Sequence, residues 1–349
     1  MFFNWFSQKK NAKGLIGVDI QPNQLAMAHI LYPVKEGEKP TLKQCIFKPV
    51  SINDDDDLVS PLPQLAQSFP IKQFSCNSFL KNQQYELLLI NPPKVEAAEL
   101  RQAVKWRIKD QLAYHIDDAV IDIFEIPGQQ SASSKFMYAV AAQKRDVELR
   151  VEALQKAGLD VSSIDIHELA QRNVAKLIEE DKDGLVFLRF NEDGGLLTIT
   201  KNGILYLARN IGFGAKRLKQ AISISDSSED EIEFFLDDDS SNPPEENNTP
   251  ALNEQGKLIL DEVILEIQRS LDYYVSHFNQ RQVRKIVLGP LVQSVPGAKE
   301  YVNEMLGIEI EVLDLNRYLN VSNPLSHELQ VNCFEAIGLA LRQNNIDGQ

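Results

Sequence analysis

The residues near the start of the chain that are most able to do chemistry surround Asp19. The stretch GLIGVDIQPNQLAMAHIL, residues 14–31, reads as a strand, a polar turn and a second strand, with Asp19 at the end of the first strand. A carboxylate in that place can help to hold hydrated Mg²⁺, and a tight glycine turn beside it can bind phosphate through backbone N–H groups. Here the turn reads Ile20-Gln21-Pro22-Asn23, which contains no glycine, and Pro22 has no N–H to donate. The sequence therefore predicts the shape of a phosphate-binding turn without its binding groups.

Common catalytic motifs are missing from the sequence. No Walker loop, G-x-S-x-G, H-E-x-x-H or C-x-x-C pattern occurs. The histidines are scattered along the chain at His29, His115, His167, His277 and His327. His167, in the stretch DIHELA, is expected beside the start of a helix. Because no nucleophile, base and orienting group come together, we predict no catalytic residue and no metal site.

Negative charge is concentrated in one segment. The net charge is −14, which excludes nucleic acid as a general partner because its phosphates require a basic surface. Residues 220–256 contain eleven Asp and Glu residues and no Lys or Arg, so the rest of the chain is nearly neutral. The low-complexity composition predicts a disordered acidic insert at 225–253. Within it, IEFFL at 232–236 is an apolar island that is either a short docking motif or a segment without a role.

Cysteine usage and hydropathy indicate a cytoplasmic protein. Cys45, Cys76 and Cys333 are far apart and odd in number, which fits a reducing compartment and gives no metal-ligand spacing. The apolar runs are too short to cross a bilayer. Phe2, Trp5 and Phe6 share one helical face ahead of three lysines, and this tip is either a frayed start or an aromatic contact with anionic lipid.

Strands and helices alternate along the chain, which predicts an α/β fold. The first half favours strands at 14–20, 24–31, 41–49, 85–90, 118–126, 135–143 and 161–166, and helices at 94–115, 144–157 and 167–180. Gly158 is a typical helix stop. From 184, GLVFLRFNEDGGLLTITKNGILYLARN repeats the strand, turn and strand plan of residues 14–31. A long amphipathic helix at 257–278 follows, and then a strand at 285–289, a helix at 298–306, a strand at 308–314 and a helix at 333–342.

Several stretches together resemble a known family. They are LIGVDI, AVKWRIKDQLAYHIDDAVIDIFEI, YAVAAQKRDVELRVEALQKAGLDVSSIDI, LEIQRSLDYY, GPLVQSVPGAKEYVNEMLGIEIEV and AIGLALR, which together extend over nearly the whole chain. The most specific is LEIQRSLDYY, because the family carries Glu-Ile-x-Arg-Ser-Leu there. The sequence resembles the PilM group of actin-like proteins, and within it the MshI proteins of mannose-sensitive haemagglutinin (MSHA) pilus assembly. The acidic insert is not a recognised family feature.

The resemblance implies a duplicated, ribonuclease H-like actin fold with a small α+β subdomain inserted in the first lobe. The implied limits are a tip at 1–13, a first lobe at 14–180, an inserted subdomain at about 86–160 and a second lobe at 181–349. The nucleotide site of the family would fall between the lobes. The residues implied there are Asp19, Asn23, Glu266, Arg269, Ser270 and Gly289.

All three nucleotide-binding turns depart from the family pattern. The first reads Asp19-Ile20-Gln21 in place of Asp-Ile-Gly, and the second reads Arg189-Phe190-Asn191, so a cation replaces a carboxylate. At the adenine turn, Gly289 is followed by proline instead of glycine. We therefore predict a degenerate site that requires no cofactor. The alternative is a site that still binds ATP and Mg²⁺, with Glu266 and Arg269 facing the adenosine instead of only pairing with each other.

The resemblance also implies a partner and a location. In the family, the protein lies at the inner face of the bacterial inner membrane and binds the N-terminal cytoplasmic tail of a single-pass protein, here PilN-like or MshJ-like. An extended tail needs an open groove and no catalytic residue. The groove is expected near 118–126 and 135–143, with the candidate lining residues Trp106, Tyr114, Ile116, Phe124 and Tyr138. Each of these could equally be plain core.

Three functions stay open at this level. The first is a non-catalytic scaffold of a pilus or related secretion machine. The second is an ATP-binding switch of a pilus or type II secretion platform, and the third is a membrane-linked cytoskeletal filament.

Overall fold

The computed structural model describes residues 13–33, 35, 37–51, 61–127, 135–191, 194–212, 214, 217, 254–290 and 297–343. The acidic insert at 225–253 lies outside these residues, as does the tip apart from Lys13, including Phe2, Trp5 and Phe6. No helix in the described ranges combines the length and the apolar character needed to cross a bilayer.

The first half is organised around a six-stranded sheet. Its strands are β1 (Gly14–Ile20), β2 (Gln24–Leu31), β3 (Thr41–Pro49), β4 (Cys76–Phe79), β8 (Val161–Asp165) and β14 (Asn320–Val321). Their order in the sheet is β14-β3-β2-β1-β4-β8. Strands β1 to β3 form an antiparallel meander, whereas β4 runs parallel to β1 and β8 runs parallel to β4. Every residue of β1 is buried, so this strand is the centre of the layer.

A second sheet repeats this plan. Its strands are β9 (Leu185–Phe190), β10 (Gly195–Lys201), β11 (Ile204–Ile211), β12 (Lys285–Leu288) and β13 (Glu309–Val312). The order β11-β10-β9-β12-β13 is again a meander followed by two parallel strands. The two sheets therefore show the duplication that the repeated sequence pattern predicts.

A third, smaller sheet is built from β5 (Tyr85–Ile90), β6 (Ala119–Glu125) and β7 (Met137–Gln143) in the antiparallel order β5-β7-β6. Helices complete the layers, and their bounds are α1 (Pro61–Ala66), α2 (Leu100–Ile108), α3 (Lys144–Lys156), α4 (His167–Ala175), α5 (Glu254–Phe278), α6 (Ala298–Leu306), α7 (His327–Asn332) and α8 (Phe334–Ala340). Helix α2 packs on one face of the small sheet through Val104 and Ile108.

Most of the predicted elements are confirmed, and two helices are shorter than predicted. The helix expected at 94–115 is confined to α2, because the segment after Ile108 tightens into a 3₁₀ turn and then becomes extended at Leu112. The helix expected at 167–180 ends at Ala175, because Ile178 takes an extended backbone and places its side chain in the core. The stop at Gly158 is confirmed, with φ at 80° just after α3.

Helix α8 lies against both β1 and α4 at distances that only small residues allow. A Cβ atom on Gly17 of β1 would lie 1.8 Å from the carbonyl oxygen of Ala336. On the helix itself, a Cβ atom on Gly338 would lie 2.5 Å from the carbonyl oxygen of Ala170. The neighbouring atoms are backbone, so neither contact can relax by rotation of a side chain. Helices α4 and α8 therefore cross in close contact beside the first sheet.

We predict that Gly17→Ala lowers the free energy of unfolding by at least about 3 kcal/mol, because the added methyl group must separate β1 from α8. Urea unfolding of both proteins measures the difference. Gly212→Ala is the matched control, since a Cβ atom there meets nothing within 4 Å in the described structure. Equal losses in the two variants would contradict the close packing.

Candidate functional site

Asp19 lies at the base of a cleft where β1 faces the second sheet. It is 1% exposed. The turn that follows it is closed on itself, because the Gln21 N–H donates to the Gln24 carbonyl oxygen over 2.9 Å. Pro22 and Asn23 are exposed at the tip of the turn. The turn therefore presents no row of N–H groups to the cleft.

The corresponding turn of the second sheet, between β9 and β10, is also closed by hydrogen bonds within the turn. The N–H of Gly194 donates to Oδ1 of Asn191 over 2.6 Å, and the N–H of Asn191 donates to the Gly194 carbonyl oxygen over 2.9 Å. The hairpin therefore uses these two N–H groups for its own closure.

A buried ion cluster fills the space between these two turns. Arg189, at the end of β9, donates from Nη1 to Oε1 of Glu335 on α8 over 2.5 Å. His167, the first residue of α4, places Nδ1 3.2 Å from the same oxygen. Glu335 is 3% exposed, so both contacts form away from solvent. The three residues join a strand of the second sheet to two helices that cross beside the first.

Surrounding residues hold the Arg189 side chain in place. The guanidinium carbon lies 4.8 Å from the centre of the Phe334 ring, a cation–π contact. A Cβ atom on Gly289 would lie 3.1 Å from both Cβ and Cγ of Arg189. Gly289, predicted at the adenine turn, therefore leaves space that the stem of this arginine occupies.

The cluster changes the proton affinity of its members. Burial by itself would raise the pKa of Glu335, but the neighbouring Arg189 and His167 outweigh it and lower that pKa. Burial by itself would lower the pKa of His167, but Glu335 outweighs it and raises that pKa. The cluster therefore favours the ionised form of Glu335 and the protonated form of His167, beside the permanently charged guanidinium group of Arg189.

Asp19 is the uncompensated member of this region. Burial, and after it the charge of Glu335, raises the pKa of Asp19 to about 7 against the opposing effects of His167 and Arg189. Neither carboxylate oxygen accepts a well-formed hydrogen bond within the described residues, although the Gln21 side chain lies close enough to lower the pKa a little. A carboxyl group that holds its proton to this pH is a poor ligand for a cation.

A second buried carboxyl group lies next to the cluster. Glu168, which follows His167 on α4, accepts a hydrogen bond from the Tyr85 hydroxyl group over 2.7 Å. Burial raises the pKa of Glu168 and, together with that carboxyl group, the pKa of Tyr85. Both residues border a polar cavity of about 420 Å³ that also reaches Arg209 of β11. The cavity lies between β5, the start of α4 and β11, and it has room for a small polar ligand.

The residues predicted on the long helix α5 already make contacts within the chain. Glu266 on α5 pairs with Arg209 at 3.3 Å and with Arg269 at 2.9 Å. Ser270 is fully buried, and its hydroxyl group donates to the Glu266 carbonyl oxygen over 2.7 Å. Glu266 therefore connects α5 to the wall of the cavity, while Ser270 serves its own helix.

The five groove candidates lie on different parts of the small sheet and its neighbouring segments. Phe124 and Tyr138 stack with ring centres 5.1 Å apart on the face of the small sheet opposite α2, and the Tyr138 hydroxyl group donates to the Tyr206 carbonyl oxygen. Trp106 is 56% exposed on α2, with the Lys109 ammonium 5.6 Å from its ring. Because Phe124 and Tyr138 point away from α2, they lie on the other side of the small sheet from Trp106.

The other two groove candidates lie in the link between α2 and β6. Ile116 is buried there, whereas Tyr114 is half-buried. Burial, followed by the charges of Glu86 and Asp146, raises the pKa of Tyr114 to about 12. These two residues support the link itself more than they line an open surface.

Three functional residues of the cleft were not predicted from the sequence. They are His167, Glu168 and Glu335, and Arg189 was noted only as a departure from a pattern. The available signal was the acid inside the apolar run CFEAIGLAL, since a charge in the apolar stripe of a helix generally requires a buried partner. Within the described residues, no group of three or more His, Cys, Asp or Glu side chains is arranged to hold a metal.

Two sheets of the same topology, facing each other across a cleft with crossing helices at its base, define an actin-like protein. The chain belongs to the family of type IV pilus assembly protein PilM, whose model matches residues 88–344. Among curated protein sequences, none matches the chain.

Solved structures resemble the chain over nearly its full length. A chain of the "PilM-PilN type IV pilus biogenesis complex" is 20% identical, with a TM-score of 0.67 over 94% of this chain and 98% of that one. The cytoplasmic domain of EpsL, an inner membrane component of the type II secretion system of Vibrio cholerae, is 9% identical over 92% and 93% of the two chains, with a TM-score of 0.45. The first likeness confirms the predicted actin-like fold.

We predict that Asp19→Asn changes the pH dependence of stability. The pKa of Asp19 rises from 3.8 to about 7 on folding, so the folded state binds this proton more tightly than the unfolded state. Stability therefore falls as pH rises from about 4 to about 7, by roughly 4 kcal/mol at most for this one group. The variant lacks this loss and should be the more stable protein at pH 8.

Urea unfolding of both proteins at pH 4.5 and pH 8 tests this expectation. Titratable groups away from Asp19 contribute equally to both proteins and cancel in the comparison, so the difference reports Asp19 and the groups coupled to it. The gain in stability from the substitution should be larger at pH 8 than at pH 4.5. An equal effect at the two pH values would show that Asp19 titrates normally.

Proposed function

We propose that this protein is a non-catalytic scaffold subunit of a type IV pilus assembly machine, of the MSHA type, and that it binds the cytoplasmic tail of an inner-membrane partner. The observation that carries the proposal is the Arg189–Glu335 ion pair at the base of the cleft, at 2.5 Å. It places a permanent cation where an actin-like protein would bring phosphate and metal together. The site is therefore a pseudo-ATPase site.

The residues in the cleft do not fit Mg-ATP. The N–H groups of Gln21 and Gly194 are engaged within their own turns, so they are not available to phosphate oxygens. The pKa of Asp19 is raised to about 7, so a hydrated metal would have to compete with a proton for this carboxylate. Glu335 neutralises Arg189, so the arginine is not available to a phosphate group. Each of these features alone weakens nucleotide binding, and together they favour a scaffold over an enzyme.

The partner is proposed by analogy with the structural relative. That relative was solved as a complex of PilM with PilN, and this chain has the same fold. We propose a PilN-like or MshJ-like protein as the partner, bound through its N-terminal tail at the inner face of the bacterial inner membrane. We propose lobes at 14–180 and 181–349 with an inserted subdomain at about 86–160, except that β14 and α8 complete the first lobe, because β14 pairs with β3 and α8 packs on β1. The aromatic tip would make a second contact with anionic lipid through Phe2, Trp5 and Phe6.

The edge of β6 offers the docking surface for such a tail. Leu100, Ile121 and Ile123 are half-buried between this edge and α2, and we call the surface that they form the β6 groove. Arg101 donates from Nη1 to the Ile121 carbonyl oxygen over 3.4 Å and from Nη2 to Asp122 over 2.6 Å. An extended peptide can replace that long bond with its own N–H group and set alternate side chains on the apolar floor.

An ATP-binding switch is the second candidate, because one observation favours it. The cavity of about 420 Å³ beside Glu168 and Arg209 has room for part of a nucleotide, and Glu266 borders it through Arg209. Binding there would have to proceed without the two turns described above.

The first prediction of this proposal concerns nucleotide. Isothermal titration of the purified protein with ATP and Mg²⁺ should show no saturable binding at micromolar concentrations, because the phosphate-facing groups are engaged elsewhere. The same titration with ADP should also be flat. Micromolar binding of either nucleotide would contradict the scaffold and favour the switch.

The second prediction concerns the tail. A pull-down with synthetic N-terminal tails of candidate inner-membrane partners should retain the protein, and Ile121→Asp should weaken retention at least about tenfold, because a charge on the floor of the groove repels apolar side chains. Leu265→Asp is the matched control, since Leu265 is 45% exposed on α5, far along the chain from the β6 groove. Equal retention of the two variants would place the tail elsewhere. Retention of no tail by the wild type would contradict the scaffold itself.

A further inference from the structure

The ion cluster joins parts of the molecule that are otherwise held by different layers. Glu335 belongs to α8, which is fixed to the first sheet through the close contact of Ala336 with Gly17. Arg189 belongs to β9, the central strand of the second sheet. A contact between these two residues is therefore a contact between the two halves of the fold. It lies at the cleft end of the interface, beside Asp19.

The apolar packing beneath the cluster also joins the halves, but away from the cleft. Phe187 of β9 and Phe334 of α8 have ring centres 5.7 Å apart and share a core with Ala26, Ala28 and Ile30 of β2. This packing acts as the base about which the halves would move. The polar contact at 2.5 Å lies on the cleft side of it, where a small rotation would separate the charges most.

The geometry of the cluster is that of a fixed contact. Arg189 is held from one side by the Phe334 ring and from the other by the backbone at Gly289, so its guanidinium group has little freedom. His167 approaches the same Glu335 oxygen from α4. Separating the halves would take Arg189 away from Glu335, leaving the carboxylate beside His167 alone, and would also take the guanidinium group off the Phe334 ring, because Phe334 and Glu335 both lie on α8. Both changes are costly in a buried setting.

We propose that Arg189, Glu335 and His167 form an internal lock that keeps the cleft closed without a ligand. In the proposed lock, a contact within the chain holds the two halves together, as a ligand bound between them would otherwise do. It goes beyond the scaffold proposal, because it assigns a conformational state to the cleft and does not depend on which partner binds. The halves then present the partner with one arrangement, and no nucleotide is needed to select it.

Hydrogen exchange at neutral pH tests the lock. Glu335→Gln keeps the size of the side chain and removes its charge, and Arg189→Met keeps most of the stem and removes the cation. In both variants, amides of β9 at 185–190 and of α8 at 334–340 should exchange at least about tenfold faster than in the wild type, because the halves separate more often. The paired substitution Arg189→Glu with Glu335→Arg restores opposite charges and should recover part of the protection.

Arg269→Met is the matched control. It removes an arginine that also pairs with a glutamate, Glu266, at 2.9 Å, but both residues lie on α5 and the pair does not cross the cleft. It should leave exchange in both segments unchanged. Glu335→Gln is the mildest change at the cluster, so it keeps the test decisive if Arg189→Met does not yield folded protein.

Two results would overturn the lock. One is wild-type exchange rates in both segments of Glu335→Gln and, where it folds, of Arg189→Met. The other is faster exchange confined to α8, which would show that Glu335 supports its own helix only. These outcomes are separate from nucleotide titration and tail binding, so the lock can fail while the scaffold proposal stands, and the reverse also holds.

Discussion

A buried carboxylate must have a cation beside it, and in this protein that requirement joins the two halves. Glu335 lies within an apolar helix that packs against the first sheet, so water cannot compensate its charge. The chain supplies Arg189 from the second sheet and His167 from the helix that crosses below. Loss of the cations would leave an isolated charge in the core. The buried carboxylate therefore requires the second sheet and the crossing helices to stay in their present positions. The turns on either side of the cleft are shaped by the same closure.

Close backbone packing makes this arrangement possible. The cluster can form only where α4 and α8 lie near enough for side chains of both to reach one point, and small residues at Gly17, Ala170 and Gly338 allow that approach. Asp19 lies at the same point without compensation, and burial keeps its proton in place. One acid of the pair is therefore ionised and paired, while the other is neutral. The contrast arises from the position of the cations, since both acids are fully buried.

Most strands and their duplication could be predicted from the sequence, because alternation and glycine turns are local signals, but the short strands β4 and β14 were not predicted. The ends of α2 and α4 could not be predicted. At the end of α4, Ile178 leaves the helical backbone and places its side chain in the core of a different layer. The site was harder still. Arg189 and Glu335 are 146 positions apart, and no local pattern joins them. The positions of the groove candidates could not be predicted for a related reason. Trp106 and Tyr138 lie on different sides of the small sheet, and this depends on strand pairing that no single segment reveals.

The base of the cleft and the edge of β6 differ in how firmly their polar groups are already held by hydrogen bonds and ion pairs within the chain. At the base of the cleft, Arg189, His167 and one oxygen of Glu335 meet within the chain, so a ligand would have to displace contacts already made there, although Asp19 is left without a well-formed hydrogen bond. At the edge of β6, Arg101 makes only a long contact with the Ile121 carbonyl oxygen, and an entering N–H group could replace that contact while Arg101 keeps its ion pair with Asp122. An entering chain gains most where the protein's own bonds are weakest. Under the proposed function, an extended partner would therefore dock on the small sheet, while the proposed lock in the cleft would hold the two halves together.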